Sequence, residues 1–68
     1  MNWDEVKGQW KVLQGKAKEK WGKLTDGDLQ VIDGKKDQLC GKIQERYGYE
    51  KEKAEKELDD FVNTLGPQ

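Results

Sequence analysis

Apolar residues recur every three or four positions along this chain, and this spacing constrains the fold more than any other feature. In the first third of the sequence the residues in this series are Trp3, Val6, Trp10, Leu13, Ala17, Trp21 and Leu24. Residues three or four apart share one face of an α-helix, so the series predicts an amphipathic helix. No segment shows the strict alternation that is typical of a half-buried strand. The sequence therefore predicts an all-α fold.

The first helix is expected to begin after Asn2 and to be interrupted by glycine. Asn2 is a favourable N-cap, and Glu5 three residues later completes a capping-box pattern. Because an interior glycine costs about 1 kcal/mol relative to alanine, we expect a break or bend near Gly15. The helix should end at Gly22, before a loop.

Three further helices are predicted. The second begins after Thr25 and weakens at the turn dipeptide Asp33-Gly34. The third covers about residues 35–47 and ends at Gly48 in the left-handed conformation, and the fourth covers about residues 50–64 and ends at Gly66-Pro67. The residues expected to be buried by these helices are Leu29, Ile32, Leu39, Cys40, Ile43, Tyr47, Ala54, Leu58, Phe61 and Leu65.

The regularly spaced glycines indicate an internal repeat. When the chain is shifted against itself so that Gly8 falls on Gly27, Gly15 also falls on Gly34. A duplicated helical unit packed against itself is the simplest interpretation, and a chance match is the alternative.

Composition excludes most classes of catalyst and of metal site. The chain has no histidine, which is the usual general base and the commonest metal ligand. Cys40, the one cysteine, cannot form an internal disulfide or a thiolate zinc site. No apolar run approaches the roughly 20 residues that span a bilayer, and the first ten residues do not form a signal peptide. We therefore expect a cytoplasmic non-enzyme with no catalytic residues, no cofactor, no metal and no membrane association.

Two stretches resemble the signatures of the CsbD-like family of bacterial stress-response proteins. They are residues 15–26 (GKAKEKWGKLTD) and residues 34–48 (GKKDQLCGKIQERYG), and the whole resemblance covers roughly residues 2–61. It implies a small bacterial cytoplasmic protein, induced by stress, whose family has no established activity and no assigned catalytic residues. Because 68 residues are enough for one domain and too few for two, we expect a single domain over residues 1–68, with a core of about residues 2–65. The implied fold is a small four-helix bundle of two crosswise-packed helical hairpins, similar to SAM-domain-like bundles.

Charge is distributed unevenly along the chain. Residues 1–24 contain six lysines and three acidic residues, whereas residues 49–68 contain three lysines and six acidic residues. The candidate binding patch consists of the six N-terminal lysines, Lys7, Lys11, Lys16, Lys18, Lys20 and Lys23. A solvated helix face is the simpler interpretation of these lysines, and docking of the basic segment on the acidic last helix is another.

Other candidate motifs have structural explanations. Lys23 follows a glycine but lacks the rest of a phosphate-binding loop, and the acids that follow Thr25 match helix capping better than a calcium loop. The tryptophans, Tyr47 and Tyr49 could stack on bases, but the tryptophans lie on the apolar stripe. Cys40 stands where the family usually has an aliphatic residue. We expect it to be buried, with a redox-active thiol as the alternative.

The sequence thus favours a monomeric, non-enzymatic stress-response protein that contacts or shields other macromolecules. Its mean hydropathy of -1.18 supports this hypothesis. The alternative is a weak nucleic-acid or regulatory binding module that uses the basic N-terminal helix. Since the pI is about 5.4, other proteins are favoured over nucleic acid as partners, although no particular partner is indicated.

Overall fold

The computed structural model describes residues 1–66 and contains five α-helices in that range. Their bounds are α1 Trp3–Gly8, α2 Trp10–Lys20, α3 Asp26–Ile32, α4 Lys36–Tyr47 and α5 Lys51–Thr64. No strand is present in this described range, and the all-α prediction is confirmed. None of the five helices is long and apolar enough to cross a bilayer. Pro67, part of the predicted final turn, lies outside the described residues.

The first predicted helix is divided at Gln9, which raises the count from four helices to five. The prediction of a break near Gly15 is wrong, since α2 continues through that residue. Gly15 also faces open space, because a β-carbon there would meet no neighbouring group within 4 Å. At the actual break the Gln9 amide donates to the Glu5 carbonyl at 3.0 Å and ends α1. α2 ends at Lys20, two residues before the predicted stop at Gly22.

The other helix ends agree with the predicted local signals. Capping boxes form at Asn2 with Glu5 and at Thr25 with Asp28. The chain turns between α3 and α4 where Asp33 and Gly34 have positive φ angles of 50° and 74°. Gly48 ends α4 with φ at 71°, in the left-handed region that favours glycine.

The five helices enclose one hydrophobic core. Its buried members are Val6, Trp10, Leu13, Ala17, Trp21, Leu24, Leu29, Ile32, Leu39, Cys40, Ile43, Ala54, Leu58, Phe61 and Val62. Trp3, Tyr47 and Leu65 were expected in the core but are only partly buried against it. Val62 is a core residue that the spacing analysis missed.

Two indole groups join helices that are distant in sequence. The Trp10 Nε1 donates to the Leu29 carbonyl at 2.8 Å, and the Trp21 Nε1 donates to the Glu57 Oε1 at 3.2 Å. The Trp21 ring also packs on Phe61, with 5.0 Å between ring centres. α4 packs on both α3 and α5. The crosswise arrangement of two hairpins and the SAM-domain likeness stay predictions.

The internal repeat has a different register from the predicted one. The predicted register pairs Gly15 inside α2 with Gly34 in a turn, so that prediction is wrong. A register that pairs Gly15 with Gly41 instead places α2 on α4. In this register GKAKEKWG at residues 15–22 aligns with GKIQERYG at residues 41–48, with four of eight positions identical and a cation and an aromatic residue kept at two more. The repeated unit is therefore a helix that leads into an aromatic residue and a glycine.

Candidate functional site

The six candidate lysines do not form one patch. Because successive residues of a helix are turned by about 100°, Lys11 and Lys18 lie on one flank of α2, and Lys16 and Lys20 lie on the other. Lys11 and Lys18 lie near residues of α3, while Lys16 and Lys20 lie near the end of α5. The structure therefore separates positive charge that is continuous in the sequence.

The flank toward α3 carries partly compensated charge. The Lys18 Nζ lies 2.8 Å from the Asp26 Oδ1, and both side chains are exposed. An exposed pair of this kind contributes little to stability. Lys7 and Lys11 line a shallow depression that also contains Asp33. This flank presents mixed charge rather than a row of free lysines.

Lys23 lies in the loop after α2 and contacts an aromatic pair. Its backbone amide donates to the Tyr47 hydroxyl at 3.2 Å, and its ammonium lies 5.0 Å from the centre of that ring. Tyr47 stacks on Tyr49 with 5.2 Å between centres, and Lys53 lies 4.4 Å from the Tyr49 ring centre. Both tyrosine rings thus already have stacking and cationic partners, which argues against a free platform for bases.

The other flank borders a groove of about 420 Å³ between α2 and α5, which we call the α2–α5 groove. Its lining residues are Leu13, Lys16, Glu19, Lys20, Phe61, Thr64 and Leu65. Within residues 1–66, no carboxylate lies within 4.0 Å of the ammonium of Lys16 or Lys20. The groove therefore combines two lysines with a partly apolar wall.

A buried carboxylate joins α3 to α4, and sequence reasoning did not find its partners. Arg46 donates from Nε and Nη2 to the two oxygens of Asp28 at 2.9 and 3.0 Å. Lys42 lies 3.5 Å from the same carboxylate, and the Thr25 amide donates to it at 3.0 Å. The hydrogen bonds from Arg46, followed by that from Thr25, hold the pKa of Asp28 well below its usual range despite its burial. The pairing also raises the pKa of Arg46. This cluster is satisfied within the fold.

Cys40 lies in the core, as predicted. Its exposed fraction is 8%, and its Sγ lies 3.8 Å from the Gln44 Oε1. Burial, followed by the nearby charge of Glu55, raises the pKa of the thiol. These surroundings disfavour the thiolate, which is the reactive form. In residues 1–66, no group of three or more histidine, cysteine or carboxylate side chains is placed to hold a metal ion.

Comparisons of the sequence with known proteins identify its family. The CsbD-like family model matches residues 4–56. The chain belongs to the CsbD-like family. The UPF0337 protein YjbJ of Escherichia coli K12 is 64% identical to it over 61 residues, which cover 90% of this chain and 88% of YjbJ. The UPF0337 protein ECA0631 of Pectobacterium atrosepticum is 71% identical over 58 residues, which cover 85% of this chain and 84% of that protein.

A third bacterial relative extends the similarity over nearly the whole chain. The UPF0337 protein PA4738 of Pseudomonas aeruginosa is 58% identical over 65 residues, which cover 96% of this chain and all of PA4738. The CsbD-like match contains all six candidate lysines, Asp28 and Arg46. The family match ends at residue 56. Phe61 and Leu65, which line the α2–α5 groove, therefore lie outside the matched residues.

Proposed function

We propose that this CsbD-like chain is a non-enzymatic stress-response protein that acts through its charged surface, by contacting or shielding other macromolecules. The observation that carries the proposal is the nature of the exposed side chains. Among the large hydrophobic residues described, only Val12 and Val31 are exposed, at 77% and 59%. Lysines and carboxylates occupy most of the remaining outer positions.

This surface favours electrostatic and hydration contacts over hydrophobic capture of unfolded chains. Apolar binding sites usually present a contiguous exposed patch of several hundred Å². Val12 and Val31 lie on different helices, whereas both flanks of α2 and the outer face of α5 carry charged groups. Such a protein keeps its hydrophobic core buried while its charged surface contacts other molecules.

A role without catalysis is supported by the state of the reactive groups. The one thiol is buried, and the carboxylate with the strongest shift in pKa is engaged by Arg46 and Thr25. Perturbed groups of a catalytic site instead face a cleft that admits substrate. A cytoplasmic location, which the family resemblance implies, and a monomeric state are parts of the same proposal.

The test is protection of a heat-stressed client enzyme, followed by light scattering. We expect less aggregation with the full chain than with an inert protein of similar size at equal mass. A Val12→Ser, Val31→Ser variant should protect as well as the unaltered chain, because the contacts are polar. No reduction beyond the inert control would overturn the proposal, and loss of protection in the variant would overturn its electrostatic basis.

Weak nucleic-acid binding is a second candidate function, supported by the excess of lysine in residues 1–24. The division of these lysines between two flanks counts against it, because a phosphate backbone favours a continuous basic track. Titration with single- and double-stranded DNA and RNA at low and high salt tests it. Saturable binding that weakens steeply with salt would favour this function, and no binding at low salt would exclude it.

A further inference from the structure

We propose that the α2–α5 groove binds an acidic, leucine-containing segment of a partner protein, with the carboxylate held by Lys16 and Lys20. This inference deepens the proposed function and rests on it, because it names one class of macromolecule that the charged surface contacts. The correspondence between α2 and α4 is its first support.

In α4 the matching positions already bind a carboxylate. Lys42 lies 3.5 Å from Asp28, and Arg46 lies 2.9 Å from it. The two cations stand four residues apart and so share a helix face. Lys16 and Lys20 occupy the same two positions when Gly15 is matched with Gly41. Thus α2 repeats the cation pair, but residues 1–66 place no carboxylate within 4.0 Å of it.

Glu19 at the border of the groove does not prevent such binding. Its counterpart in α4 is Glu45, which lies 3.6 Å from Lys42. Lys42 nevertheless contacts Asp28 at the same time. In this fold, a lysine that pairs with a glutamate three residues later can therefore contact a second carboxylate as well.

The apolar wall indicates what accompanies the carboxylate. In α3 the bound acid is followed at once by Leu29, which is buried. Beside its lysines the α2–α5 groove presents the half-buried Leu65, which lies over the buried core residues Leu13 and Phe61. The Thr64 hydroxyl donates to the Phe61 carbonyl at 2.8 Å, so Lys16 and Lys20 supply the side-chain donors that the groove offers to a carboxylate. An acid next to a leucine fits both parts of this surface.

The test is an NMR titration of the full chain with a capped peptide that copies residues 25–32 (TDGDLQVI). We expect saturable shifts centred on Leu13, Lys16, Lys20, Phe61 and Leu65, with a Kd of about 1 mM. A peptide with Asp28→Asn should bind more weakly. Replacing both groove lysines in the protein (K16Q, K20Q) should raise Kd by about fivefold.

The matched control is the double variant K7Q, K11Q, which removes the same charge from the other flank. It should change Kd by less than about twofold, since these lysines do not border the groove. All four lysines are exposed, and unchanged circular dichroism confirms folding of both variants.

Four results would each overturn the proposal. They are no saturable shifts at millimolar peptide, equal affinity for the Asp28→Asn peptide, equal loss of binding in the two double variants, and, in a parallel titration with octanoate as a small carboxylate with an apolar tail, binding of octanoate but not of the peptide. Protection of the client enzyme is measured separately, so it can persist when peptide binding fails. Loss of protection with intact peptide binding would overturn the proposed function instead.

Discussion

Gly34 lies so close to Lys7 that a β-carbon on residue 34 would stand 2.6 Å from the Lys7 Cα. The same added atom would lie 3.2 Å from the Trp10 Cβ, and the φ angle of Gly34 is 74°. This contact brings the α3–α4 turn against the junction of α1 and α2. Only glycine meets both the steric and the conformational requirement at this position.

Gly34→Ala should therefore destabilise the domain. The left-handed backbone alone costs a residue with a β-carbon about 1–2 kcal/mol, and the backbone clash adds to this. Cores of this size rarely supply more than about 3–5 kcal/mol, so a large share of the stability should be lost. Urea unfolding monitored by circular dichroism measures the effect. An unchanged midpoint would contradict the close approach.

Gly15→Ala should instead stabilise the domain, although the chemical change is the same as in Gly34→Ala. Gly15 lies inside α2, and a β-carbon there would meet nothing within 4 Å. We expect a gain of about 1 kcal/mol in the free energy of unfolding, because alanine is the better helix former. The measurement is the same urea titration, and destabilisation would show that Gly15 has a packing role.

Asp28→Asn should lower the melting temperature, and the melting temperature of the variant should depend less on pH in the acidic range. At neutral pH, loss of the ion pair with Arg46 should lower Tm by about 5 °C or more. The pKa of Asp28 is depressed in the folded state, so its stabilising contribution is complete above the unfolded pKa of about 3.9. As pH falls below about 4, the contribution is lost in the native chain but not in the variant.

The control for this experiment is Asp26→Asn in the same helix turn. Asp26 pairs with Lys18 on the exposed surface, so little change in Tm is expected. Equal effects of the two substitutions would contradict a special role for Asp28.

Cys40 should react slowly in the native state. It is buried, and its raised pKa leaves little thiolate at neutral pH. Alkylation by a thiol reagent should become fast only in denaturant. A Val12→Cys variant in a Cys40→Ala background supplies an exposed thiol for comparison. Similar native rates for both thiols would support the redox alternative.

Trp10→Ala should largely unfold the domain. Trp10 is buried and its indole bonds to Leu29, and truncation of a buried aromatic costs about 3–5 kcal/mol. Trp3→Ala is the matched control, because Trp3 is only partly buried. A cooperative melt of the Trp10 variant within a few degrees of the unaltered chain would refute its place in the core.

Local signals in the sequence predicted the caps and most helix ends. Asn2, Thr25 and Gly48 act through atoms within a few residues, so their patterns carry the information by themselves. The break at Gln9 lies where α1 and α2 meet the turn at Gly34, which is a tertiary contact. Gly15 has no such neighbour, and its propensity cost alone does not end the helix.

The candidate site was also only partly predictable, because its geometry depends on tertiary contacts. The apolar stripe of α2 identifies which lysines face away from the core, but not which helix lies beside each flank. The Asp28 pairing depends on the turn that reverses the chain between α3 and α4. The sequence did contain the signal for the correspondence of α2 with α4, in the match of GKAKEKWG with GKIQERYG. The competing register, which pairs Gly15 with Gly34, obscured it.

The bond from Trp21 to Glu57 also bears on when the domain folds during synthesis. The two residues lie on either side of α3 and α4 in the chain, and Phe61, which packs on the same indole, follows Glu57. A ribosome that has completed α4 has not yet supplied the helix that covers Trp21. We therefore expect the nascent chain to stay open, and accessible to proteases, until α5 has left the exit tunnel.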